Sequence, residues 1–240
     1  MRDLIQSIPN AMTLGNLACG CIGIERVIAG DVKTAFWLIC LAAILDFFDG
    51  LTARLLKADG EMGKQLDSLA DLVTFAVLPG IILFHYTMKF EYCLPNGFCS
   101  SRYAWLALPL AGAWRLARFN VQNNTSGSFT GVPTPITGLA FASLIPALEF
   151  VPNLQVATFY TNFYFLTMGP VFAAYLMVSD FSMPALKFGK GKQFPAWQWV
   201  IPAVWVVSAI IFGYAAGPII YLGYVIPSII ANFATNKSNG

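Results

Sequence analysis

Apolar runs long enough to cross a lipid bilayer recur along the chain, separated by short polar stretches. The clearest is Gln193 to Asn236, which holds no Asp, Glu, Lys or Arg. A bilayer core takes about 20 apolar residues per helix. This stretch therefore predicts two spans, over 196–235, with a turn at Gly213 to Gly217. Phe159 to Val178 is also free of charge and predicts another. Five more are predicted over 12–29, 34–54, 66–88, 103–121 and 135–151, the last carrying Pro135 and Pro146. The pattern predicts an all-α, polytopic integral membrane bundle of about eight helices. Neither a repeat nor a separate soluble domain is visible, so residues 1–240 read as one membrane domain.

Loop cations orient such a bundle. With the N-terminus in the cytoplasm, the inner loops hold Arg2, Arg54, Lys57, Lys64, Arg115, Arg118, Lys187, Lys190, Lys192 and Lys237. The outer loops hold Arg26, Lys33, Lys89 and Arg102. Ten cations against four favour this placement in the cytoplasmic membrane. The start, MRDLIQSIPN, has no cationic run leading into an apolar core and cleavage site, so no removable signal is expected.

Composition narrows the classes further. Only 11% of the 240 residues are charged and 57% are hydrophobic, whereas a soluble domain carries about 25% charged residues. A soluble enzyme and a disordered chain are disfavoured. A formal net charge of +2 gives no reason to expect a nucleic-acid partner. Cys19, Cys21 and Cys40 fall inside predicted spans as small packing residues. Cys93 and Cys99 share a predicted external loop and can pair in an oxidising compartment. His85 has no metal-binding companion and reads as an interfacial or packed residue.

The acids are concentrated. Half of the twelve lie between Asp46 and Asp71. Asp46 and Asp49 are three apart near the end of the second predicted span, and Asp67 and Asp71 are four apart near the start of the third. Both spacings place a pair on one helix face. An antiparallel helix pair turning through Gly60 and Gly63 brings all four carboxylates to one depth. A charge deep in a bilayer costs about 2.5–3.5 kcal/mol even on the lenient insertion scale. Four together need compensation that Arg54 and Lys64 alone do not supply. An oxygen-only ligand set points to hard divalent ions, Mg²⁺ or Mn²⁺. Asp59 and Glu61 read as surface acids. Gly50 and Ala53 leave the helix thin beside the cluster, where a ring or diphosphate can approach the backbone.

The arrangement Asp46-x2-Asp49-Gly50-x2-Ala53-Arg54-x8-Gly63-x3-Asp67-x3-Asp71 resembles the signature of the CDP-alcohol phosphatidyltransferases at all eight positions. The resemblance implies an integral membrane transferase of phospholipid biosynthesis that moves a phosphatidyl group from a CDP-linked lipid to an alcohol, releasing CMP. It implies two divalent ions held by Asp46, Asp49, Asp67 and Asp71, with Asp71 also the base for the acceptor hydroxyl. Gly50, Ala53 and Arg54 then border the cytidine diphosphate, and a homodimer is expected. Ile8 to Gly20 (IPNAMTLGNLACG) is similar to the serine-using branch of the family, as are RLARFN, FTGVPTPITG and SDFSMP. The likeness spans most of residues 8–184, the expected catalytic core.

Asn10, Thr13 and Asn16 lie a turn apart on one face. They either hydrogen-bond the nucleotide or make caps and interhelical contacts. Arg115 and Arg118, three apart, either anchor the inner interface by snorkelling or turn inward to fork onto an acceptor's carboxylate or phosphate. The PTP stretch between Gly131 and Gly138 predicts an irregular lead-in to a span, of the kind tolerated where it lines a polar cavity. The expected reaction is transfer from CDP-diacylglycerol to L-serine, giving phosphatidylserine and CMP by direct displacement. Transfer to glycerol 3-phosphate, giving phosphatidylglycerophosphate, is the alternative within the family. A cation channel or transporter is the alternative outside it, and gathering of the acids at one interface disfavours it.

Overall fold

A computed structural model describes residues 2–56, 60–90, 101–121, 129–150, 154–180 and 182–183, with short helical pieces at 217, 221–223 and 225–227. The predicted C-terminal spans and the Cys93–Cys99 pairing lie largely or wholly outside the described residues.

Two long helices open the chain: α1 (Arg2–Ile28) and α2 (Val32–Leu56). Their junction follows from local chemistry. Gly30 adopts a left-handed φ of 84°, which only glycine takes without strain. Asp31 N–H then donates to Arg26 O at 2.8 Å, closing α1 in a Schellman-like turn. The Asp31 carboxylate also accepts from Thr34 N–H at 3.2 Å and so starts α2. Hydrogen bonds from Thr34 hold the Asp31 carboxyl below its ordinary range.

After the turn, α3 (Glu61–Leu72), a π turn (Val73–Val77) and α4 (Leu78–Phe90) form one apolar rod. The cause of the wide turn is Pro79. It has no N–H to give Phe75 O, four residues back, and its ring crowds that carbonyl. The helix widens there, and Leu78 N–H reaches back five residues to Val73 O. Three other segments press onto this wide turn through glycines. A Cβ on Gly112 would sit 2.7 Å from Ala76 Cβ, one on Gly138 2.8 Å from Phe75 Cα, and one on Gly20 would strike the Thr74 hydroxyl. Around it Phe75, Leu78, Ile82, Leu108, Phe141, Leu144 and Leu176 are buried as a continuous apolar core.

The later helices are shorter than the sequence pattern predicts. Residues 103–121 break into α5 (Ser101–Ala104) and α6 (Ala107–Val121). Residues 135–151 become α7 (Thr134–Ala142) and a second π turn (Pro146–Phe150), which begins on a proline. The uncharged run 159–178 divides between α8 (Leu154–Tyr160) and α9 (Phe163–Val178). Asn162 causes that division: its Oδ1 caps α9 by accepting from Tyr164 N–H at 2.8 Å. Among the described residues, three helices are long and apolar enough to cross a membrane: Ser7–Ile28, Val32–Leu56 and Glu61–Phe90. Their outer faces carry exposed Leu14, Ile22, Trp37, Leu41, Ile44 and Phe47, as lipid-facing surfaces do.

The lead-in to α7 is irregular, as expected. Gly131 has a φ of 74°, and a Cβ there would collide with Met177 O. Its neighbour Val132 donates to Leu176 O at 3.2 Å. A two-residue antiparallel pairing of β1 (Phe129–Thr130) with β2 (Ser182–Met183) ties the same segment to the chain after α9.

Candidate metal centre and its cavity

The site grows from α1, α2 and α3, whose register two contacts define. Thr13 Oγ1 lies 2.7 Å from Asp49 Oδ2, and Gly15 sits against Leu45, so α1 and α2 run antiparallel. Gly63 lies against Asn10 Oδ1, and Thr74 Oγ1 donates to Asn16 O at 3.2 Å, so α3 runs parallel to α1. These three rods bring the predicted acids together. One carboxylate oxygen from each of Asp46, Asp49 and Asp67 lies within 4.8 Å of the others. Asp71 stands against Asp46 one turn deeper.

The depth differs from the expected helix-end position. Helix α2 continues seven residues beyond Asp49, to Leu56, and Asp71 is ten residues into the rod that starts at Glu61. At 1.5 Å per residue these are about 10 and 15 Å from the turn. Asp49 and Asp71 are 5% and 7% exposed. Among the described residues of the signature stretch, the cations Arg54 and Lys64 are engaged elsewhere. Arg54 Nε donates to Gly50 O at 2.9 Å, and Lys64 Nζ donates to Asn120 O at 3.1 Å. Asp71 Oδ1 is buried with no hydrogen-bond partner among the described residues. Gathered hard oxygens and an orphaned carboxylate oxygen fit a divalent ion.

A cavity of about 490 Å³ opens on this cluster. Its wall includes Asn10, Thr13, Asp49, Gly50, Ala53, Gly63 and Asp67, all singled out from the sequence. A Cβ on Gly50 would meet nothing within 4 Å, so its missing side chain is space given to the cavity. Arg54 is exposed and outside the wall. Pro9, Gly60, Glu61, Lys64 and Phe119 complete the wall. Glu61 thus belongs to the cavity mouth rather than to an unrelated surface. Lys64 also lies 5.5 Å over the Phe119 ring, and Asn120 bonds Ser68 at 2.9 Å and Gln65 at 3.1 Å. This clamp of α3 to the end of α6 had one sequence signal, the RLARFN stretch, which shows neither the partner helix nor the bonds.

Arg115 and Arg118 stand on α6, away from the cavity wall. Arg115 donates to Thr134 Oγ1 at 3.1 Å. Arg118 donates to Val178 O at 3.4 Å and pairs with Asp180. The structure therefore joins the RLARFN, PTP and SDFSMP stretches around one end of α6 and α9. His85 packs edge-on to Tyr86, as a packed residue.

Comparison with known proteins shows the family. The family model for CDP-alcohol phosphatidyltransferase matches residues 6–168, and the chain belongs to that family. It is 32% identical over 195 residues to the CDP-diacylglycerol–serine O-phosphatidyltransferase of Bacillus subtilis, covering 80% of this chain and 98% of that one. It is 32% identical over 187 residues to the protein of the same name from Mycobacterium leprae, covering 75% of this chain and 58% of that one. An archaetidylserine synthase from Methanothermobacter thermautotrophicus is 30% identical over 140 residues, 57% of each chain.

Proposed function

We propose that this chain transfers the phosphatidyl group of CDP-diacylglycerol to L-serine, giving phosphatidylserine and CMP. The observation that carries the reading is the meeting of Asp46, Asp49 and Asp67 oxygens within 4.8 Å beside a cavity widened at Gly50. Asp46, Asp49, Asp67 and Asp71 would hold two Mg²⁺ or Mn²⁺ ions. When bound, such ions neutralise the diphosphate and the charge that builds on departing CMP.

The chain's own residues do the rest. Asn10 and Thr13 stand where the nucleotide enters, and Gly50 and Ala53 let it lie close to α2. Arg54, exposed and outside the wall, would have to leave its bond to Gly50 O to reach the phosphates. Asp71 takes the serine hydroxyl proton as that oxygen bonds to the phosphorus of the phosphatidyl group and the bond to CMP breaks. A positioned base contributes about 10²–10⁴-fold. Arg115 and Arg118 are the acceptor-side cations in this reading, with Thr134 and Asp180 holding them in place. The acyl chains stay in lipid, so a site within the helices suits the donor. We place the site on the cytoplasmic face of a bundle of about eight spans, working as a homodimer.

The test is acceptor choice. Purified protein with CDP-diacylglycerol and Mn²⁺ releases CMP on addition of L-serine and forms phosphatidylserine. Release with glycerol 3-phosphate but not serine overturns the acceptor, and a trapped phosphatidyl-enzyme overturns direct displacement.

A further inference from the structure

Asn16 is wholly enclosed, 0% exposed, and neither its Oδ1 nor its Nδ2 has a hydrogen-bond partner among the described residues. An unpaired amide in a bundle interior is costly, and natural structures seldom keep one without a use. Its height follows from its neighbours. Thr13 bonds Asp49 across the antiparallel α1–α2 pair, so Asn16, three residues later on α1, comes level with Asp46, three residues earlier on α2. A Cβ on Gly20 would strike Thr74, so Gly20 and Thr74 are level, and Asp71, three residues before Thr74 on the parallel α3 rod, comes level with Leu17, the neighbour of Asn16. Asn16 thus shares the inner level of the site with Asp46 and Asp71. At that level Asp71 Oδ1 is also buried without a partner. Orphaned oxygens on facing helices, one neutral and one acidic, call for a shared electron-pair acceptor between them. A divalent cation is that acceptor, and a carboxamide oxygen is a hard ligand that adds no fifth negative charge.

We propose that Asn16 is a further ligand of the metal centre, its carboxamide oxygen completing the shell of the inner ion held by Asp46 and Asp71. The amide N–H groups are then free to donate to a neighbouring carboxylate and orient it. Asn16 in this role is distinct from Asn10, which lines the nucleotide cavity. The proposal rests on the metal reading given under the proposed function.

The test is Mn²⁺ titration of the purified full chain, read by electron paramagnetic resonance, with melting temperatures recorded with and without Mn²⁺. Wild-type protein is expected to bind two ions. Asn16→Leu removes the polar atoms and keeps the bulk. It should keep or raise the metal-free melting temperature while weakening one of the two ions by about 10–100-fold. Asn16→Asp, which answers the question if the leucine variant does not fold, should tighten that ion. A lower metal-free melting temperature with both affinities unchanged in Asn16→Leu would make Asn16 structural and overturn the proposal. Unchanged affinities in Asn16→Asp would do the same. Wild-type protein that binds no Mn²⁺ overturns the metal reading itself, whereas two ions bound equally by wild type and both variants overturn only the part given to Asn16.

Discussion

The Thr13 hydroxyl donates to Asp49 Oδ2 at 2.7 Å, linking residues 36 apart in sequence. It also approaches Pro9 O at 3.0 Å, but the shorter bond goes to the charged oxygen, as charge-assisted bonds do. The bond fixes α1 against α2 at the wall of the cavity and holds one acid of the cluster in place. Thr13→Val keeps the shape and removes the donor. It should lower stability by about 1–2 kcal/mol and weaken Mn²⁺ binding, whereas Thr13→Ser should retain both. Thermal melts and Mn²⁺ titration check this.

Gly50 and Gly112 are both helical glycines, and the structure predicts opposite outcomes for them. Glycine inside a helix costs about 0.8–1 kcal/mol relative to alanine. At Gly50 the added methyl meets nothing within 4 Å. Gly50→Ala should therefore raise the melting temperature while raising the KM for CDP-diacylglycerol, because the methyl occupies the cavity.

At Gly112 an added methyl would lie 2.7 Å from Ala76 Cβ, on the π turn that follows Asp71. Gly112→Ala should destabilise by about 1–3 kcal/mol through overpacking. The same comparison of melting and kinetics separates the two positions. A stability loss at Gly50, or none at Gly112, would contradict the register described for these helices.

The four aspartates were legible because charge inside apolar runs is rare and their spacing repeats a known signature. Their depth was not legible. Apolar runs mark where helices pass but not where they end, so Asp49 and Asp71 looked like helix termini while α2 continued to Leu56. Asn162 shows the same limit: one capping side chain divides an uncharged run that composition alone treats as continuous. The π turn was hidden because Pro79 lies in an otherwise regular apolar stretch. The Lys64–Asn120 and Arg118–Asp180 contacts join residues more than 50 positions apart, and no local periodicity carries such pairs. The flanking RLARFN and SDFSMP stretches marked the right segments without showing that they meet.

Asp71 is assigned the proton of the acceptor. Asp71→Asn keeps the shape and most of the ligand oxygens but cannot accept that proton. It should lower kcat by about 10²–10⁴-fold with Mn²⁺ binding partly retained. Single-turnover CMP release beside metal titration checks it, and full turnover by Asp71→Asn would remove it as base.

The central claim is that carboxylates converging on one site, loaded with divalent ions, drive phosphatidyl transfer to serine. The most direct measurement follows radiolabelled L-serine into lipid by the purified, detergent-solubilised protein, before chelation, after exhaustive chelation and after Mn²⁺ is restored. The account predicts labelled phosphatidylserine with stoichiometric CMP, its loss on chelation and its return with the ion. Undiminished phosphatidylserine formation by fully metal-stripped protein would contradict it.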